Sequence, residues 1–435
     1  MTALIVLTVL GVLAVALAFG VWVGLALYAV GLIGLAVFRG HMPIDKMIAQ
    51  FSFNVLTTPE LVALPLFVLM AEILFRSKLS ASLFSGVAPW TARLPGRLLH
   101  VNVLGCTLFT AISGSSAATA ATVGRITLSE LFARGYNKDI AMGSLAGAGT
   151  LGFLIPPSII LSIYGVLAEA SILKLFIDGI VPGFLLAGGY MIYLAVRAVM
   201  DPTLVPAEES RVPFLQRLAG LRHLLPVVFL ILAVLGSMYG GFASPSEAAA
   251  VGVLGALLVS ALQRTLTLLN LKLACLGAVR TVSMIGLIVA GAYFLSITMG
   301  YLGVPRIVAG QIAALGLSPI ALIMLLLLFY AVLGCVLEGM SSIVMTLPIT
   351  LPLVLAAGFD KIWFGVFLVI VVEMAQITAP VGFNLFVIQG MTGERISRIA
   401  IATFPFFLIM VALAMLITFV PQVVTYLPQV IALTG

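Results

Sequence analysis

Apolar residues run along this chain in long blocks, and polar positions interrupt them at a few recurring places. Residues 1–38 contain no charged side chain. About 20 apolar residues carry a helix across a bilayer, so this block predicts two spans, 3–20 and 21–38. Further blocks predict spans near 59–76, 139–167, 172–199, 223–241, 244–262, 281–303, 361–390 and 399–420. Two of these, 139–167 and 361–390, are interrupted by "LIPPS" (154–158) and "TAPVG" (378–382). Proline removes a backbone donor and clashes with the preceding turn, so each helix is expected to break there.

Two segments do not fit single crossings. Residues 98–133 carry "SGSSAATAAT" (113–122) at their centre, leaving arms 98–112 and 117–133. Arms of that length reach about 22–25 Å, short of the roughly 30 Å hydrocarbon core. They predict a re-entrant hairpin. Residues 318–357, with "EGMSS" (338–342) at the tip, predict a second.

The pattern repeats. Gly114 and Gly339 are 225 residues apart, Pro156 and Pro380 are 224 apart, and Gly165 and Gly390 again 225. Each half has three spans, a hairpin, a broken span and a closing span. Five crossings is an odd number, so the second half is expected to be inverted. The halves are 1–200 and 223–435, joined by the linker 201–222. The expected fold is an all-α integral membrane protein of two inverted-topology repeats: about ten spans, two re-entrant hairpins and two broken helices.

Composition agrees. The chain is 63% hydrophobic and 8% charged over 435 residues, which excludes a soluble domain. The N-terminal block lacks a basic leader and a small-residue cleavage site, so it does not read as a removed signal peptide. Cys106, Cys275 and Cys335 have no CxxC spacing and read as small apolar side chains. The net charge of +6 has a topological cause rather than nucleic acid. Following the crossings, one side carries Arg39, Lys46, Lys174, Arg306 and Lys361, and the other carries fifteen of the remaining basic residues. The richer side is the cytoplasm, which places both termini outside. Segments 43–51, 80–97 and 266–280 mix apolar and basic residues and predict arms lying in the interface.

Irregular backbone is tolerated at membrane depth where it is buried in protein or lines a cavity. At such tips, freed carbonyls and hydroxyls supply hard oxygens and helix N-termini supply partial positive charge. An uncharged oxygen cage suits Na⁺, whereas a divalent ion wants more carboxylates. Candidate Na⁺ positions in the first half are Ser113, Gly114, Ser115, Ser116, Gly152 and Pro156. Those in the second are Glu338, Gly339, Ser341, Ser342, Thr378 and Gly382. The competing reading is helix packing through small residues. It suffices for "AATAA" (117–121) alone; the paired breaks at constant offset favour a site.

Taken together, "SGSSAATAATVGRI" (113–126), "RGYNKD" (134–139), "AGAGTLGFLIPPSIILSIYG" (146–165), "EGMSSIVMTLPITLPL" (338–353) and "QITAPVGFNLFVIQG" (376–390) resemble the large membrane subunit, DctM-like, of tripartite ATP-independent periplasmic (TRAP) transporters. The resemblance covers nearly the whole chain. It implies Na⁺-coupled uptake of a small organic acid by an elevator motion in the bacterial inner membrane. It also implies a periplasmic substrate-binding protein and a small four-helix membrane subunit, expected here as a separate polypeptide because the chain begins directly with the large-subunit pattern. The substrate positions it suggests are Ser116, Thr119, Arg125, Pro157, Ser158, Gln376, Pro380 and Asn384.

Charges within the blocks are weighed singly, since they are costly in a bilayer. Arg125 can pair with a substrate carboxylate, or else snorkel or pair with Glu130. Glu338 can ligate Na⁺ or orient the tip backbone. Glu373 reads as an interior carboxylate bonded to a neighbouring helix. Glu72 and Glu247 lie near span ends. His41, His100 and His223 fall at predicted ends with no metal-like spacing. A binding-protein-independent carrier of the same superfamily remains as the alternative. A membrane acyl-transfer enzyme lacks any His/Asp or Cys/His constellation and leaves the repeat unexplained.

Overall fold

The computed structural model describes residues 8, 11–13, 15–16, 18–206, 213–304, 307, 310, 317–334, 337–378 and 382–426. Half of the predicted span 3–20 lies outside these residues, as do Arg211, Arg306, Cys335 and Pro380. Every regular element among the described residues is helical.

The hairpins and the breaks stand where the polar interruptions put them. Leu99–Ser113 ends at Gly114, whose φ of +59° is a left-handed turn that glycine adopts without strain, and Ser116–Ala133 leads away. The second pair is Pro319–Gly334 and Gly339–Ala356. The first interrupted helix runs Lys138–Gly149, tightens into a 3₁₀ turn at Thr150–Phe153, breaks, and resumes as Ile159–Leu167. The second runs Lys361–Gln376 and resumes as Phe383–Thr392. Asn137 and Asp360 cap the starts of the two leading halves, each accepting two backbone N–H groups. Closing helices Ile172–Met200 and Ile396–Phe419 follow.

Two layers of packing organise these parts. Val23–Arg39, Ala63–Phe75, Leu225–Tyr239, Pro245–Leu262 and Leu268–Leu302 pack on one another as a frame. Its helices approach closely through glycine: a Cβ on Gly291 would stand 2.6 Å from the Gly24 carbonyl oxygen. The second hairpin, the closing helices, and Thr150–Phe153, Ile159–Leu167 and Phe383–Thr392 of the interrupted helices gather around Lys361–Gln376, which is buried from Trp363 to Gln376. A helix apolar on all sides belongs in a core. The outer surface instead exposes large apolar side chains, among them Leu232, Leu254, Ile192 and Ile401, each about two-thirds or more exposed. Such a surface suits lipid.

The structure departs from the sequence reading in one place. Residues 266–280 are not a separate interfacial arm. Thr267 caps a single helix, Leu268–Leu302, that ends only at Gly303 with φ +68°. No proline stands inside it, and its first part packs on Ala63–Phe75, where Gly277 faces Glu72, while Gly291 further along faces Gly24 of Val23–Arg39. Within the linker, Phe214–Gly220 is helical and packs against Leu79–Thr91. Five described helices are each long and apolar enough to cross a bilayer, or seven when bent pairs count as one. One of the five is Gly339–Ala356, expected as a hairpin arm. Interruption is what shortens the others: Lys138–Gly149 and Lys361–Gln376 are 12 and 16 residues.

Candidate functional site between the hairpin tips and the helix breaks

The first tip seats directly on the first break. The Gly114 carbonyl accepts from Ile159 N at 3.4 Å, and a Cβ on Gly114 would stand 2.7 Å from the Pro157 carbonyl oxygen. Pro156 and Pro157 form the break itself, joined by a cis peptide. Ser158 caps the resuming helix, its hydroxyl accepting from Leu161 N at 3.2 Å. Gly152, in the 3₁₀ turn, lies under the start of Ser116–Ala133, where a Cβ would be 2.3 Å from the Ser116 Cα.

Ser116 joins the first hairpin tip to the second interrupted helix. It is buried. Its hydroxyl donates to Glu373 Oε2 at 3.0 Å and accepts from Asn384 Nδ2 at 2.9 Å. Glu373 lies in the last turn of the leading half of the second interrupted helix, and Asn384 in the first turn of the resuming half. Gly149 leaves room beside Asn384, its would-be Cβ 3.2 Å from Nδ2.

At the second tip, Glu338 is a helix cap. Its carboxylate accepts from Ser341 N at 3.2 Å and Ser341 Oγ at 3.4 Å, while its carbonyl accepts from Ser342 Oγ at 3.1 Å. Gly339 lies against Gln376, 2.7 Å from its Nε2 to a would-be Cβ. Past the break, Thr378 Oγ1 donates to the Ala375 carbonyl at 3.0 Å and Gly382 N to the Thr378 carbonyl at 2.8 Å.

The structure therefore brings Ser116, Gly152 and Asn384 together, sets Gly114 on Pro157, and sets Gly339 on Gln376. Ser115 precedes the first turn of Ser116–Ala133, half-buried, and its side chain makes no capping bond. Ser113 and Thr119 turn to each other at 2.7 Å inside the first hairpin. Arg125 stands apart. It is exposed and nine residues beyond Ser116, which at about 100° per residue is the opposite face of the helix. Glu130 pairs with Arg134 at 3.3 Å rather than with Arg125. The sequence reading left Glu373 out of the candidate site. Its bond to a neighbouring helix matches the expectation, but the neighbour is the first hairpin tip. The signal was a lone carboxylate in the otherwise apolar run "FGVFLVIVVEMA" (364–375).

The oxygens gathered here are hydroxyl, amide, carbonyl and carboxylate. Among the described residues no group of three or more His, Cys, Asp or Glu could hold a metal ion. Hairpin tips abutting interrupted helices inside a lipid-facing frame define a membrane transporter. The solved Alcanivorax borkumensis YdaH transporter shares the fold at 16% identity and a TM-score of 0.63, over 96% of this chain and 98% of that one. Residues 10–423 match the family model "Tripartite ATP-independent periplasmic transporter, DctM component", and the chain belongs to this family. It is 32% identical to the C4-dicarboxylate TRAP transporter large permease protein DctM of Pseudomonas aeruginosa, over 83% of this chain and 84% of the relative. It is 31% identical to the isethionate TRAP transporter permease protein DctMQ of Oleidesulfovibrio alaskensis, over 92% of this chain and 62% of that longer protein.

Proposed function

We propose that this chain carries a small organic acid inward across the bacterial inner membrane in symport with Na⁺, taking the acid from a periplasmic binding protein and working beside a separate small four-helix membrane subunit. Family membership and the organic anions named for two relatives support the substrate class and the partners. The Ser116–Asn384 contact carries the reading of the site. It joins the first hairpin tip to the second break through buried oxygen and nitrogen groups with no basic side chain bonded among them. Na⁺ is placed at the two tips, where backbone carbonyls freed by the breaks join Ser115, Ser116, Ser341 and Ser342. The acid is placed between them, within reach of Gln376 and Asn384. The hairpins and interrupted helices of the two halves carry the site as one body past the frame in an elevator motion. Both termini face the periplasm, in keeping with the basic residues on the opposite side.

The test is uptake into liposomes with an imposed Na⁺ gradient. The chain, the small subunit and the loaded binding protein together transport; omission of any one abolishes uptake. Equal uptake of free acid by the chain alone would establish the binding-protein-independent carrier instead.

A further inference from the structure

We propose that Ser116, Glu373 and Asn384 form a third cation site, for a monovalent metal ion of the Na⁺ type, lying between the two tips. It rests on the Na⁺-coupled reading above, and it adds the Glu373 carboxylate, which belongs to neither tip.

The argument is a count of donors and acceptors. Glu373 is 1% exposed and Asn384 fully buried. Ser116 has one hydroxyl proton, and it goes to Glu373 Oε2. The other carboxylate oxygen, Oε1, has no hydrogen-bond partner, and neither does Asn384 Oδ1. Both orphaned acceptors belong to groups already anchored on Ser116, and covalent geometry holds each within about 5 Å of its oxygen. Buried acceptors are ordinarily satisfied, so two in one cluster mark a missing positive partner.

The electrostatics point the same way. Glu373 is in the last turn of its helix, where the backbone dipole is negative and carboxylates are disfavoured. That turn contains no basic residue, and Glu373 takes part in none of the ion pairs among the described residues. The other carboxylate whose field reaches it is Glu338 of the second tip, which deepens the negative potential. An uncompensated buried carboxylate at membrane depth is costly. One negative charge with hydroxyl, amide and freed carbonyl oxygens fits one monovalent hard cation; a divalent ion would leave charge uncompensated. The terminal torsions of Glu and Asn are soft, so both orphaned oxygens can swing onto an ion beside Ser116.

The test is thermal unfolding of the purified full chain in detergent against NaCl, with choline chloride holding ionic strength constant. Glu373→Gln keeps size and still accepts the Ser116 proton, so a purely structural Glu373 predicts an unchanged Na⁺ curve. The site predicts two changes together: Glu373→Gln unfolds at a higher temperature than wild type in choline, and its Na⁺ midpoint rises roughly 5- to 150-fold. Asn384→Ala, which loses a neutral ligand, is expected to raise the midpoint without the gain in choline. Wild-type midpoints in both variants overturn the site and leave Na⁺ coupling standing. A wild-type chain that does not respond to Na⁺ over choline overturns the coupled reading and the site with it.

Discussion

Gly152 faces the backbone of Ser116 so closely that a Cβ built on it would stand 2.3 Å from the serine Cα. The 3₁₀ turn of the first interrupted helix reaches the first hairpin tip only because this position has no side chain. The contact also sets Ser116 where Glu373 and Asn384 meet it.

Gly152→Ala is therefore expected to destabilise the chain by about 1–3 kcal/mol, the usual cost of overpacking, because the neighbour is backbone and cannot swing aside. Thermal unfolding in detergent reads this, and uptake should fall with it. A normal melting curve with full uptake would show that the tip has slack.

The tip cages make a second prediction. Ser115→Ala combined with Ser341→Ala removes one hydroxyl from each half while keeping both residues small. The Glu338 cap survives through Ser341 N. The expected result is a Na⁺ dependence of uptake shifted to higher concentration by about 5- to 150-fold, with recovery at high Na⁺. A titration that overlays wild type at equal expression would make the tips packing elements.

Arg125 gives a third. It is exposed on the helix face opposite Ser116. Arg125→Ala should keep uptake within about twofold of wild type, as surface changes usually do. A tenfold loss restored by Arg125→Lys would instead place a cationic contact with the substrate there.

Topology is the fourth. In a cysteine-free background, a cysteine at exposed Thr203 should label only from the cytoplasm, and one at exposed Gln422 only from the periplasm. The opposite pattern would reverse the orientation derived from charge.

Much of this architecture is legible in the linear sequence because its causes are local. Pro156 and Pro157 break a helix wherever they fall, Gly114 ends an arm because it takes φ +59° without strain, and Asn137 and Asp360 cap whatever follows them. The hairpin tips, both breaks and the cluster of hydroxyls follow from such short-range chemistry, and the family follows from their combination. Tertiary structure decided what local chemistry leaves free. Residues 268–280 carry signals for an interfacial arm, yet they are one helix with the span beyond and pack on Ala63–Phe75, where Gly277 faces Glu72. Arg125 and Thr119 look like site residues in sequence, yet helical rotation turns one outward and a bond to Ser113 keeps the other inside the hairpin. Glu373 reads as an interior carboxylate bonded to some neighbouring helix, and only the fold shows that its partner is Ser116, 257 positions away. Helix breaks are properties of single residues, whereas the partner of a buried carboxylate depends on how separate helices dock, and no periodicity within either helix encodes that.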